Sequence, residues 1–341
     1  MKDLCCIVFV FTREGARVDY RDYIPFYVYS FLKAYPEYDL KIYLNNEISP
    51  QLQRQIELCG NPKNLTIYEN FQFDGLEIPK REPYEGALRA LRWLVPPKDF
   101  AQYRACYVGD VDVFICKEEH SIYEQHCKHA EVLNLPYSNI IRSSPMPKNT
   151  SKPYIVSRLK RYGPVEALRY LRSDNSGWYQ ASGLHFYKTK EYYKAVGPQI
   201  PHMIESMNQL LRGKSKYWNR YQSVGTDEHV LYKLIRNSGL NTPPPVPSDK
   251  NININCASPS DIHFRPHHGL HFGIIRARPD WSDPQLAHPS YQHYFDYFEE
   301  LYKNDETLRS LIANTHPIIK EQFANLMAYK RFKPETGIFK P

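Results

Sequence analysis

The sequence lacks any uncharged apolar run long enough to cross a membrane, since such a span needs about 20 residues. The short apolar run over residues 4–11 has no small-residue cleavage site after it, which argues against a signal peptide and favours a buried strand. The seven cysteines never form a Cys-x-x-Cys motif, so we expect reduced thiols and neither a disulfide framework nor a zinc site. These absences predict a cytoplasmic protein, soluble or bound at a membrane surface.

The composition is that of a folded globular protein. The chain has 341 residues, of which 42% are hydrophobic and 24% are charged. That length can bury one large core or two smaller ones, and the composition excludes a disordered chain. We find no internal repeat.

The positive charge is concentrated in one part of the chain. Residues 142–172 contain eight arginines and lysines and one acidic residue, Glu166, so this stretch alone has a net charge of +7, equal to that of the whole chain. Such a stretch favours an anionic neighbour, such as a diphosphate, an acidic lipid surface, an acidic polymer or nucleic acid, or it is a solvated helix face and loop. We expect it to serve the acceptor or a lid, with peripheral contact to an anionic membrane as one possibility and no nucleic-acid partner.

Strand and helix patterns alternate along the first half. Strands are predicted over residues 4–11, 40–44, 65–68 and 105–108, and helices over residues 23–34, 50–59 and 84–94. This alternation predicts an α/β protein with ligands at the carboxyl ends of the strands. Further on, we predict helices over residues 165–171, 191–211, 226–237, 294–302 and 308–327 and a strand over residues 182–187.

The central motif follows the strand that ends near Val108. Gly109 is followed by Asp110-Val111-Asp112, and carboxylates two residues apart on an extended backbone point to the same side. Two such carboxylates can hold one divalent cation while a nucleotide diphosphate completes its coordination.

Two other classes of function remain open on these residues. In a haloacid-dehalogenase-like phosphatase, Asp110 would attack phosphorus and Asp112 would handle the proton of the leaving group. That motif normally opens its domain, whereas several strand and helix patterns precede it here. A non-catalytic carbohydrate-binding module could use the basic stretch, but would not need the aspartates together with a distant histidine.

Two segments downstream favour a metal–diphosphate site. Residues 178–187 form a small-residue turn that enters an apolar strand, and residues 265–273 contain three histidines and two glycines before Arg276 and Arg278. An imidazole can complete the coordination of a cation, and arginines can take up phosphate charge.

In this order, the segments resemble the retaining GT-A glycosyltransferases, in particular glycosyltransferase family 8, which includes glycogenin and bacterial galactosyltransferases. The resemblance covers about residues 4–281. It matches Phe11-Thr12 to the base-binding strand end, Arg89 to the helix arginine, Asp110 and Asp112 to the metal motif, Ala181-Ser182-Gly183 to the small turn, Asp227-Glu228 to the acidic pair, and His271 to the last metal ligand. The chain departs from the family at Ala181, where the family has an asparagine; the neighbouring Gln180 is the candidate to take its place. It also departs at Glu228, where the family has a glutamine. Gly273 comes one residue early, and Arg276 or Arg278 replaces a lysine.

The resemblance implies an α/β GT-A fold with a mixed sheet flanked by helices, and a metal-dependent hexosyltransferase for glycan or polysaccharide biosynthesis. We expect a nucleotide-sugar donor, UDP-linked, a glycan or lipid-linked acceptor, retention of configuration, and Mn²⁺ or Mg²⁺ held by Asp110, Asp112 and His271. Asp227 is the candidate catalytic residue. The other candidate binding residues are Thr12, Arg89, Gln180, Ser182, Glu228, Arg276 and Arg278. We predict a catalytic domain over residues 1–284 and a helical extension packed on it over residues 285–341.

Overall fold

The computed structural model describes residues 1–11, 19–60, 62–76, 89–95, 97–144, 178–211, 226–247, 258–273 and 289–331. The predicted helix over residues 165–171, most of the basic stretch, and the candidates Thr12, Arg276 and Arg278 lie outside these ranges. No helix in the described ranges is long and apolar enough to cross a membrane.

A six-stranded mixed sheet forms the centre of the fold. Its strands are β1 (Lys2–Val10), β2 (Asp39–Leu44), β3 (Leu65–Tyr68), β4 (Tyr103–Gly109), β6 (Tyr137–Ser138) and β9 (His185–Lys188). Their order across the sheet is β3-β2-β1-β4-β9-β6. The first four run parallel, and β9 runs antiparallel to both β4 and β6. Because Val108 pairs with His185, the residues that follow β4 and those that precede β9 meet at the same edge of the sheet.

Successive residues of β1 point to opposite faces of the sheet, as the pleat of a strand requires. Leu4, Cys6 and Val8 belong to one hydrophobic cluster, and Cys5 and Ile7 belong to the other. Both faces of the strand are therefore buried, which explains why it is a continuous apolar run and not an alternating one.

Two small sheets and nine helices complete the described part of the fold. The small sheets combine β7 (Ile141–Ser144) with β8 (Trp178–Ala181) and β10 (Pro245–Pro247), and β5 (Val113–Ile115) with β11 (Gly269–His271). The helices are α1 (Ile24–Ala34), α2 (Pro50–Glu57), α3 (Ile122–Leu133), α4 (Thr189–Val196), α5 (Ile200–Leu211), α6 (Thr226–Asn237), α7 (Pro289–Asn304), α8 (Glu306–Ala313) and α9 (Pro317–Arg331).

The last three helices share the hydrophobic cluster of α1. Phe26 of α1 and Phe323 of α9 have ring centroids 4.6 Å apart, and the Tyr23 hydroxyl donates a hydrogen bond of 2.8 Å to Gln322. We therefore propose that the helical extension packs on the catalytic domain, although residues 285–288 at its predicted start lie outside the described part.

The mixed α/β fold expected from the sequence is confirmed. Two predicted helices are broken in the structure. The helix predicted over residues 191–211 divides at Gly197–Gln199, a short 3-10 helix that contains a proline, and the helix predicted over residues 308–327 divides before Pro317. Helix α3 was not predicted, although Ser121 and Glu124 form a reciprocal capping box at its start. The six described cysteines are free thiols; Cys256 lies outside the described residues.

Candidate active site at the carboxyl edge of the sheet

The Asp110-Val111-Asp112 motif lies in a bend between two strands. Strand β4 ends at Gly109 and β5 begins at Val113, so the motif is not the extended backbone that the sequence predicted. The two carboxylates accordingly have different partners. Asp110 accepts a hydrogen bond from Arg92, and Asp112 lies beside His271.

Arg92 connects the motif to helix α6. It lies in the 3-10 helix Ala90–Trp93, and its Nη1 donates a hydrogen bond of 2.7 Å to Oδ1 of Asp110, while Nη2 is ion-paired with Oδ2 of Asp227. The guanidinium also lies over the Trp93 ring, 4.6 Å from its centroid. Burial disfavours the charged form, but Asp227 and Asp110 outweigh it and raise the pKa of Arg92. One buried cation therefore orients two carboxylates.

The acidic pair begins helix α6 and faces the turn before β9. The indole of Trp93 donates a hydrogen bond of 2.9 Å to the backbone oxygen of Asp227. Oε1 of Glu228 accepts from the backbone N–H of Gly183 at 3.1 Å and is ion-paired with Arg142 of β7. Burial raises the pKa of Glu228, against the opposite effect of Arg142.

The small turn is held by a second arginine and by an asparagine. Nε of Arg265 donates to the hydroxyl of Ser182, which also accepts from the Leu184 N–H at 3.1 Å. Oδ1 of Asn139 accepts from the Ser182 N–H at 2.8 Å. Burial, with the nearby positive charge of Arg142, lowers the pKa of Arg265 to about 10.

Strand pairing places His271 next to Asp112. In the antiparallel pair of β11 and β5, His271 is opposite Val113, and the Phe272 N–H donates to the Asp112 backbone oxygen at 2.8 Å. Nε2 of His271 is 3.4 Å from Oδ1 of Asp112. Burial disfavours the imidazolium, but the Asp112 carboxylate raises the pKa of His271 above its ordinary value. The His267 ring stacks on the His271 ring, with centroids 4.6 Å apart.

Asp112 and His271 fit a divalent cation, as judged by their spacing and by the space beside them. Neighbouring ligands at about 2.1 Å from an octahedral metal are roughly 3 Å apart, close to the 3.4 Å observed. A Cβ added at Gly273 would lie 3.1 Å from Oδ2 of Asp112 and 3.1 Å from Nε2 of His271, so the glycine leaves this pair open. Across the described residues, no group of three or more acidic, histidine or cysteine side chains is already arranged as a metal site. Asp110, the third expected ligand, is instead paired with Arg92.

The structure brings six of the predicted residues together at the same edge: Asp110, Asp112, Asp227, Glu228, Ser182 and, beside Asp112, His271. Gln180 lies on β8, with a half-buried side chain, in register with Arg142 of β7. Arg89 is exposed at the start of the 3-10 helix, and the arginine that contacts Asp110 is Arg92, three residues further on.

Sequence reasoning missed Arg92, Arg265 and His267 and assigned Arg142 only to the basic stretch. Arg92 lies one helical turn after Arg89, so both arginines were expected on the same face of the predicted helix. The sequence therefore does not show which of the two contacts the site. For Arg265 and His267 the signal was the same histidine-rich segment that carries His271.

No protein-family model matches the sequence, and no curated protein matches it. Among solved structures, the chain is similar to core-mannan synthase A from Aspergillus fumigatus in its Mn/GDP form, with a TM-score of 0.39, 11% identity, and 69% of this chain and 70% of that chain covered. It is similar to the galactosyltransferase LgtC in complex with donor and acceptor sugar analogues, with a TM-score of 0.36, 16% identity, and 67% and 70% covered. A putative nucleotide-diphospho-sugar transferase from Desulfovibrio desulfuricans has a TM-score of 0.34 and 11% identity, with 91% and 99% covered. These neighbours are of the GT-A type.

Proposed function

We propose that this chain is a metal-dependent glycosyltransferase that moves a sugar from a nucleotide-diphosphate donor to an acceptor. The observation that carries the proposal is that both carboxylates of the Asp110-Val111-Asp112 bend contact distant parts of the chain. Arg92 joins Asp110 to Asp227, and Asp112 lies beside His271. Residues more than 100 positions apart in the chain thus form one site, with the residue types that a metal–diphosphate reaction requires.

Asp112 and His271 would hold the cation, Mn²⁺ or Mg²⁺, with Asp110 as a third ligand through the carboxylate oxygen that Arg92 does not engage. When bound, the cation would stabilise the negative charge that develops on the departing diphosphate. Arg92 orients Asp110 through a hydrogen bond and Asp227 through an ion pair.

The sugar would lie against the Ser182–Gly183 turn. Glu228 and Arg265 hold this turn through the Gly183 N–H and the Ser182 hydroxyl, so they set its position. Asp227 is our candidate catalytic residue for transfer with retention, and Gln180 and Glu228 are candidates for binding sugar hydroxyls. Thr12 is the candidate for the base, and Arg89, Arg276 and Arg278 are candidates for the phosphates.

We further propose a UDP-sugar as donor and a glycan or lipid-linked sugar as acceptor, with the basic stretch over residues 142–172 serving the acceptor. A protein of this kind would act in the cytoplasm, with peripheral contact to an anionic membrane where the acceptor is lipid-linked.

The phosphatase alternative accounts for Asp110 and Asp112, but it has no role for the acidic pair of α6 or for His271. It also expects the motif after the first strand of its domain, whereas here the motif follows β4. A non-catalytic binding module needs neither the buried Arg92 bridge nor the pair of Asp112 and His271. The convergence of these groups favours the transferase.

A thermal-shift screen of nucleoside diphosphates and nucleotide-sugars, with and without Mn²⁺, tests the proposal. A ligand at 100 times its Kd stabilises the folded state by about 2.7 kcal/mol. We expect this stabilisation from a nucleoside diphosphate only when Mn²⁺ is present. Asp112→Asn should abolish it and lower transfer by about 100- to 1000-fold with the fold intact, since it removes a metal ligand.

Asp74→Asn is the matched control, because Asp74 is an exposed carboxylate on a turn and has none of the contacts described above for the site. It should leave ligand binding unchanged. Full transfer activity in Asp112→Asn would end the assignment of Asp112 as a metal ligand. A wild-type chain that no nucleoside diphosphate stabilises in the presence of Mn²⁺ would end the transferase interpretation, and a covalent aspartyl-phosphate at Asp110 would establish the phosphatase.

A further inference from the structure

A buried chain of polar side chains lies beneath the segment that carries Arg265 and His271. Nδ1 of His268 is 2.5 Å from Oε2 of Glu118, and Nε2 of His268 is 3.0 Å from Nε2 of His126. The rings of His126 and His129 both reach the Ser138 hydroxyl at 2.7 Å. The His268 side chain is fully buried, and the members of this chain are distinct from the residues that we assign to the metal or the substrate.

Glu118 is held as a carboxylate from three directions. Besides His268, it accepts hydrogen bonds from the Tyr294 hydroxyl of α7 at 2.8 Å and from the Gln125 amide of α3 at 3.0 Å. Burial disfavours its charge, but these partners, His268 foremost, lower the pKa of Glu118. Nδ1 of His268 must therefore carry a proton that it donates to Glu118.

The backbone at His268 is left-handed, with φ at +58°. A residue with a side chain adopts this conformation at a cost, and it persists where the surroundings over-determine it. Here the Cys116 N–H donates to the His268 backbone oxygen at 2.9 Å. The next residue must be glycine, because a Cβ at Gly269 would lie 1.9 Å from the backbone oxygen of Phe114.

This turn lies midway between two contacts of the active site. Three residues before it, Arg265 donates to the Ser182 hydroxyl; three residues after it, His271 lies beside Asp112. The direction in which the chain leaves His268 therefore determines whether one short segment can make both contacts.

We propose that Glu118 is a positioning residue that, through His268, holds residues 265–273 so that Arg265 reaches the Ser182 turn while His271 reaches Asp112. Because Tyr294 donates to the same carboxylate, helix α7 of the C-terminal region contributes to this placement. The effect on catalysis rests on the proposed function, whereas the placement of His271 does not.

The test compares Glu118→Gln with Asp305→Asn in the full chain. Asp305 is also a carboxylate with several partners, since it caps helix α8 and pairs with Lys33, but these partners belong to other segments than residues 265–273. Both variants should lower the melting temperature by a few degrees. Three further quantities are measured: the NMR resonances of the His271 ring, assigned with His271→Gln, the affinity for Mn²⁺ by calorimetry, and kcat with a nucleotide-sugar.

In Glu118→Gln we expect the His271 resonances to shift, the Mn²⁺ affinity to fall by about 10-fold and kcat to fall by about 10- to 100-fold, since small misplacements have effects of this size. None of the three should change in Asp305→Asn. Unchanged His271 resonances in Glu118→Gln would overturn the proposal. If they shift but the wild-type chain neither binds Mn²⁺ nor turns over a nucleotide-sugar, the positioning role stands and the proposed function fails.

Tyr294→Phe is the second variant, for the case that Glu118→Gln does not fold. It removes one donor to Glu118 and leaves the carboxylate in place, so the same three quantities should move in the same direction by smaller amounts. Values equal to those of Asp305→Asn would overturn the proposal.

Discussion

Two neighbouring clusters of the candidate site have opposite arrangements of charge. In the first, one arginine, Arg92, is shared by two carboxylates, Asp110 and Asp227. In the second, one carboxylate, Glu228, is ion-paired with Arg142 and also faces the charge of Arg265.

The difference shows in how readily each arginine holds its proton. Asp227 and Asp110 raise the pKa of Arg92 despite its burial, whereas burial and Arg142 lower the pKa of Arg265 to about 10. Two carboxylates therefore favour the charge of Arg92, whereas the charge of Arg265 is buried near a second cation, Arg142. The same residue type should consequently have different effects on stability when it is removed.

The largest effect is expected for Arg92→Met. It leaves two partly buried carboxylates without their shared cation, and breaking such a pair costs about 3–5 kcal/mol. Chemical denaturation measures the loss, and transfer activity should fall by at least 100-fold.

Arg89→Met is the control for this prediction, because Arg89 is exposed and lies one helical turn earlier. It should lower the free energy of unfolding by less than Arg92→Met does, because an exposed charge gains less from its partners than a buried one. A larger loss of activity in Arg89→Met than in Arg92→Met would make Arg89 the more important arginine and break the comparison.

A smaller effect is expected for Arg265→Met, the same substitution in the other cluster. It removes one hydrogen bond to Ser182 but also a buried cation beside Arg142, so the free energy of unfolding should fall by less than about 1.5 kcal/mol. The same denaturation experiment measures it. A loss as large as that of Arg92→Met would show that Glu228 needs both arginines.

The smallest effect is expected for Glu228→Gln, which should remove one contribution to the pH dependence of the free energy of unfolding. Burial raises the pKa of Glu228 above 4.5, so between pH 4.5 and the raised value the folded state keeps a proton that the unfolded state has released. The stability of the wild type relative to Glu228→Gln should therefore fall as pH rises through this window, with a slope of at most about 1.4 kcal/mol per pH unit. If the difference in stability between the wild type and Glu228→Gln stays constant or grows with pH, Arg142 has a larger effect on the pKa of Glu228 than burial has.

Several residues of the site could be found in the sequence because their neighbours along the chain identify them. Asp110 and Asp112 follow an apolar strand, the acidic pair opens an amphipathic helix, and His271 lies in a histidine–glycine segment. The relation between them could not be found in this way. The sequence does not show that the two carboxylates have different partners, because β4 ends at Gly109 and Asp110 and Asp112 follow it in a bend, where Asp110 contacts Arg92 and Asp112 lies beside His271.

The sequence by itself determined the parallel strands and most of the helices, since each depends on apolar residues spaced along one stretch of chain. Only the tertiary structure decided that Arg92 contacts Asp110, that Arg142 and Arg265 meet at the Ser182–Gly183 turn, and that Glu118 holds His268. These contacts join residues up to 150 positions apart. Their partners are selected by strand order and register, which no local pattern contains, because a charged side chain has the same sequence signature whether it pairs with a distant partner or with water.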